Sequence, residues 1–142
     1  MKSQLYRIDK RQNYIILAEN SYMDGEMDEA IRFYFKALKF TGTIDENIEI
    51  LYNIGAIYDE MDLPEKALES YNDIILLDKE ESGAFYGMGA MYERLGDKAE
   101  AIKSYFKAIE IDPNYDRAYF YIANIYDEMG ESDKAIHYYK KV

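Results

Sequence analysis

The side chains able to do chemistry in this chain are few in kind. A single histidine, His137, stands between Lys134 and Lys140 with Asp133 four residues before it, and cysteine is absent. One imidazole and no thiol cannot build a Ser/His/Asp triad, a Cys/His pair or a zinc site, and a lone histidine has no partner to make it a general base. No glycine-rich phosphate loop occurs. Carboxylates are plentiful: acidic runs recur at Asp24-Gly25-Glu26-Met27-Asp28-Glu29, at Asp59-Glu60-Met61-Asp62 and at Asp127-Glu128-Met129-Gly130-Glu131-Ser132-Asp133. Several oxygens together could hold calcium, but these runs lack the spaced ligands and closing bidentate glutamate of a dedicated loop. Solvated helix ends account for them better. No catalytic residue, metal ligand or cofactor is therefore assigned, and the chain is read as not an enzyme.

The 142 residues suit one domain, long enough to bury a core without metals or disulfides. Twenty-eight acidic against 17 basic residues give a net charge of -11, which repels a phosphate backbone, so nucleic acid is not expected as a partner. No apolar run approaches the roughly 20 residues that span a bilayer. The opening Met-Lys-Ser-Gln-Leu-Tyr-Arg-Ile-Asp-Lys lacks the apolar core of a signal peptide, so neither a membrane nor export is expected and a cytoplasmic location is the simplest reading. The acidity is uneven. Residues 48–81 hold ten acids and two bases, residues 82–142 ten acids and eight bases. With only two prolines and a wealth of Tyr and Ile, the charge belongs on ordered helices, not on a disordered tail.

What positions these groups is a repeat. Sliding residues 48–81 onto 82–115 matches Tyr52/Tyr86, Gly55/Gly89, Ala56/Ala90, Tyr58/Tyr92, Ala67/Ala101, Ser70/Ser104, Tyr71/Tyr105, Ile75/Ile109 and Asp78/Asp112. That is nine of 34 positions, where ordinary residue usage gives about two. A further shift aligns Tyr126, Gly130, Ala135, Ile136 and Tyr139 with Tyr92, Gly96, Ala101, Ile102 and Tyr105. Upstream, Ala18, Gly25, Ala30, Tyr34 and Ala37 keep the spacing, with three extra residues near Asp45 to Asn47. Four units follow, at 11–47, 48–81, 82–115 and an incomplete 116–142, with residues 1–10, through Leu5 and Ile8, extending the first helix as a cap.

Within a unit the apolar residues fall at helical spacing. Phe85, Met88, Gly89 and Tyr92 make one stripe, and Ala101, Ile102, Tyr105, Ala108 and Ile109 another. Between them Gly96 is able to end a helix in the left-handed region and Asp97 to cap the next, which predicts two antiparallel helices per unit. Gly89 and Ala101, like Gly55 and Ala67, are small where two helices cross, while Tyr92 and Tyr105 fill the space between units.

Phe85, Met88, Gly89, Tyr92, Gly96, Ala101, Tyr105, Ala108 and Pro113 together resemble the tetratricopeptide repeat pattern, and the resemblance extends over residues 11–142. Departures are Ser21 for the tyrosine of the first unit, Asp62 for the turn glycine of the second, and Gly42 and Lys79 for the closing proline. The resemblance implies an all-α, right-handed α-solenoid of stacked helix-turn-helix repeats that scaffolds proteins instead of catalysing. It also implies that the first helices of successive units line a concave groove. Carried over, one row of that groove is Ile15, Tyr52, Tyr86 and Phe120; the next is Glu19, Ala56, Ala90 and Asn124; the third is Tyr22, Asp59, Glu93 and Asp127.

Aromatics beside acids suit a peptide with apolar anchors and Lys or Arg. A tyrosine stripe at this spacing fits inter-helix packing equally in kind. One subgroup of the family clamps acidic chaperone tails with Lys, Asn and Arg. Here only Asn53 stands at such a place in the first three units, with Ile15, Gly83 and Gly87 at the basic places, and Arg117 stands alone when the window moves to the last three. Chaperone-tail capture is therefore not expected. At the chain's end Ile136, Tyr139 and Val142 sit on a last helix with no polar helix after it. Two readings stand: a scaffold that holds a partner's peptide in the groove, and a self-assembly module that forms a homodimer through that helix.

Overall fold

The computed structural model describes residues 2–142, with side chains from Lys10 onward; the side chains of Leu5 and Ile8 lie outside the described residues. All described secondary structure is helical. The chain divides into two compact units, Met1–Leu63 and Pro64–Val142. The first holds α1 (Lys2–Met23), α2 (Met27–Leu38) and α3 (Ile44–Glu60), and the second α4 (Pro64–Leu77), α5 (Ser82–Arg94), α6 (Lys98–Ile111), α7 (Asp116–Glu128) and α8 (Ser132–Tyr139).

The odd-numbered helices end alike. At the close of α1, α3, α5 and α7 one residue takes the left-handed region: Gly25 at φ 81°, Asp62 at 60°, Gly96 at 78° and Gly130 at 78°. The next amide then reaches back to a carbonyl five residues earlier, Glu26 to Ser21, Leu63 to Tyr58, Asp97 to Tyr92 and Glu131 to Tyr126, at 2.8–2.9 Å. This closure satisfies carbonyls that the helix leaves orphaned. Asp62 thus replaces the glycine in sequence while the turn keeps its shape. Aspartate tolerates the left-handed region better than most residues, at a cost that glycine avoids. Asp97 caps α6 through its carboxylate, which accepts the Glu100 amide at 3.1 Å, and Pro64 opens α4, where its missing N–H costs nothing.

In the first unit the joint between α2 and α3 is polar. Arg11, on α1 and only 5% exposed, donates through Nη1 to the carbonyls of Ala37 (3.0 Å) and Phe40 (2.7 Å) and through Nη2 to Asn47 Oδ1 (2.7 Å). Its Nε lies 3.8 Å from Glu46 Oε2. The guanidinium thereby closes the C-terminal end of α2 and ties down the start of α3. A Cβ on Gly42 would come within 2.4 Å of Arg11 Cζ. That contact gives a reason for glycine where the family pattern has proline. The three extra residues at Asp45–Asn47 lie in the first turn of α3, which runs 17 residues against 13 for α5 and for α7. Thr43 and Glu46 form a reciprocal capping box at this start.

The second unit is centred on Tyr105, which is fully buried among Ala101, Ala108, Ala118, Ile122 and Ile125. Gly89 makes room for it: a Cβ there would fall 2.6 Å from the Tyr105 ring. Gly87 does the same for Tyr71 of α4, at 2.8 Å. Tyr105 therefore fills the crossing inside the α5/α6 pair as well as the joint to α7, where the spacing alone assigned it to the joint.

Candidate functional site

In the second unit α5 contributes Tyr86, Ala90 and Glu93 and α7 contributes Phe120, Asn124 and Asp127. Each set is spaced by three or four residues, so it keeps to one side of its helix. Tyr86 is half-buried, with its ring centroid 5.7 Å from Tyr105, 5.1 Å from Tyr115 and 5.9 Å from Tyr121. Burial, reinforced by Tyr121, pushes its phenol up to about 12, so it stays protonated. Tyr105 and Tyr121 are stacked at 5.7 Å. Phe120 is 42% exposed and meets Tyr121 and Tyr139 edge-on. Tyr86, Phe120 and Tyr121, with Asp116, Arg117 and Val142, line an open slot of about 250 Å³, room for one large side chain.

Below the aromatic row runs an acidic one. Glu93 accepts a hydrogen bond from the Tyr105 phenol at 3.1 Å. Burial raises its carboxyl above the ordinary value, which the Tyr105 bond opposes and the neighbouring Glu128 reinforces. Glu128 in turn pairs with Lys98 at 3.3 Å, and Asp127 is exposed. Asn124 accepts from the Tyr139 hydroxyl. Tyr139 and Val142, which the sequence assigns to self-association, are thus brought beside Phe120 and Asn124. Ile136 is 52% exposed on α8.

The first unit carries the same rows on α1 and α3. Ile15 and Tyr52 are half-buried, Glu19 and Ala56 exposed, and Asp59 half-buried. Tyr22 donates to Glu60 Oε1 at 2.6 Å, and this bond raises the Tyr22 phenol. Sequence reasoning missed Glu60, Tyr115 and Tyr121 as neighbours of these rows. The repeat signals Tyr121 only weakly, because it aligns with an asparagine and a glycine at the preceding units' equivalents, Asn53 and Gly87. Among the described residues no three His, Asp or Glu side chains converge so as to hold a metal ion, and no helix is long and apolar enough to cross a membrane.

Helix pairs that share one turn geometry and repeat their small and aromatic residues define a helical-repeat protein. Models of the tetratricopeptide repeat match residues 48–81, 83–115 and 104–137, and the chain belongs to the tetratricopeptide repeat family. A crystal structure of MamA is 33% identical, with a TM-score of 0.79 over 94% of this chain and 71% of MamA. The photosystem I assembly protein Ycf3 of Rippkaea orientalis is 47% identical over 49 residues, a match spanning 34% of this chain and 28% of that protein. The first repeat domain of Spaghetti (RPAP3), solved with an HSP90 peptide SRMEEVD, has a TM-score of 0.71 over 86% of this chain and 94% of its own, at 22% identity, a likeness of fold alone.

Proposed function

We propose that this protein is a scaffold that captures a peptide segment of a partner on the faces of α1, α3, α5 and α7, in four repeats at 11–47, 48–81, 82–115 and 116–142. The residues that carry it are Ile15, Glu19, Tyr22, Tyr52, Ala56, Asp59, Tyr86, Ala90, Glu93, Phe120, Asn124 and Asp127. The observation behind the reading is the α5/α7 face, where an exposed Phe120 and an aromatic slot lie about two turns before Glu93 and Asp127 on the same helices. An apolar anchor seated in the slot would lead a Lys or Arg onto the acids. A related fold solved with a bound peptide supports the same mode of use. Such a scaffold needs no cofactor and no chemistry of its own, and it suits a cytoplasmic setting.

Selection from a displayed peptide library, followed by titration of the winners against Phe120→Ser with Asp127→Lys, tests this reading. The winners should pair an apolar residue with a base and lose at least about tenfold in affinity to the variant. If no selected peptide depends on Phe120 and Asp127, the groove reading fails. The homodimer reading keeps one observation in its favour: Ile136 on α8 is 52% exposed and Val142, which lies three residues beyond the helix and not on it as the spacing suggested, is 61% exposed. Light scattering that gives a monomer at every concentration ends it.

A further inference from the structure

We propose that one end of the α1/α2 pair is a second docking surface, opposite in charge to the α5/α7 face, and that it takes an acidic segment of a partner protein. Three rings build its floor. Tyr14 of α1 stacks on Phe33 and on Phe40, with centroids 6.1 and 5.8 Å away. Lys10 Nζ stands 5.7 Å from the Phe40 ring, and Lys36 Nζ stands 5.7 Å from Tyr14 and 5.5 Å from Phe33. Arg32 on α2 and Lys39 at its C-cap add two exposed cations.

Among the described residues none of Lys10, Arg32, Lys36 and Lys39 takes part in a salt bridge. In the second unit, by contrast, Lys98, Lys103, Lys107 and Lys134 each hold a carboxylate. The unpaired set belongs to a chain of net charge -11, so carboxylates are in surplus; in this unit Asp24, Glu26, Asp28 and Glu29 gather around the α1–α2 turn, and Asp9 adjoins Lys10 in sequence.

Helix dipoles explain half of this pattern. On α2, acids open the helix and Lys36 closes it, as the macrodipole favours. On α1 they do not. That helix has no base in its last turn, and Lys10 and Arg11 lie beyond its first turn, where the macrodipole no longer sets a preference. Arg11 is accounted for by the carbonyls it closes. Lys10 has no such internal task; it adds its charge to that of Lys36 around one aromatic platform.

An ammonium group over a ring keeps its free N–H donors for an anion, and the ring fixes its position at little cost in entropy. The chemistry selected is therefore carboxylate next to an apolar or aromatic side chain. A protein segment fits better than a lipid surface or a nucleic acid. An extended polyanion would feel the charge of the whole acidic chain, whereas a short segment stays within about a Debye length, roughly 8–10 Å, of the four cations.

The test is fluorescence anisotropy with a fluorescein-labelled peptide of repeating Glu-Leu-Asp-Phe, run on the full chain. The peptide should bind, weaken steadily with added salt, and lose about tenfold or more with Lys10→Glu and Lys36→Glu while circular dichroism stays unchanged. Lys10→Gln with Lys36→Gln should fall between. Phe120→Ser with Asp127→Lys should bind it as the unaltered chain does, which separates this surface from the groove. Absence of binding, or equal binding by the Lys→Glu variant, overturns the proposal. So does tighter Lys10-dependent binding to vesicles of phosphatidylserine and phosphatidylcholine, which would assign the surface to lipid.

Discussion

The two units join their helices by opposite means. In the first, a buried guanidinium gathers the carbonyls of Ala37 and Phe40 and the side chain of Asn47. In the second, the Tyr105 ring sits in a notch left by Gly89 and stacks on Tyr121, with one phenol bond to Glu93 at its rim. The polar joint is directional: each donor must meet its acceptor, and a lost partner leaves a desolvated group behind. The aromatic joint depends on shape and area, and tolerates sliding better than truncation. A repeat with the same turns can therefore be closed by hydrogen bonds at one place and by packing at another.

Breaking each joint measures the difference. Tyr105→Ala should have the largest effect, roughly 3–5 kcal/mol lost from the second unit, because it empties a fully enclosed ring site; chemical denaturation read by circular dichroism gives the value. Arg11→Met keeps much of the volume and removes the donors, and should cost about 2 kcal/mol. Hydrogen exchange would place that loss at the end of α2 and the first turn of α3. If Arg11→Met costs as much as Tyr105→Ala, the contrast between the joints is wrong. A smaller change sharpens it at the turns. Asp62→Gly gives α3 the residue that α5 and α7 already have in the left-handed position, and should raise Tm by a few degrees, from roughly 0.5–1 kcal/mol of relieved strain.

The helix pairs could be read in the sequence because their signal is local and repeats: small residues where helices cross, tyrosines at fixed intervals, glycine or its stand-in at each turn. Asp62 could be recognised as a departure, though only the backbone shows that it adopts the glycine conformation. Arg11 could not be read at all. In a charged helix it looks like one more solvated base, and its role exists only once residues 37–47 fold back over it. The candidate site divides in the same way. The rows from Ile15 to Asp127 follow from the family pattern, while the meeting of Tyr139 with Asn124, of Val142 with the slot, and of Tyr22 with Glu60 depends on side-chain reach between helices. The Lys10 and Lys36 platform escaped for that reason too: its members are close in space and scattered in sequence.

The crowding of tyrosine rings in the second unit has an optical consequence. The chain contains 16 tyrosines and no tryptophan, so light absorbed by Tyr86, Tyr105 or Tyr121 passes among rings a few ångströms apart with nothing lower in energy to trap it, and part is quenched at the phenol held by Glu93. Emission stays in the tyrosine band. Were a segment to dock as proposed, a tryptophan carried into the Phe120 slot would become the terminal acceptor for the whole cluster, and the arrival of a partner would be written directly in the colour of the protein's own fluorescence.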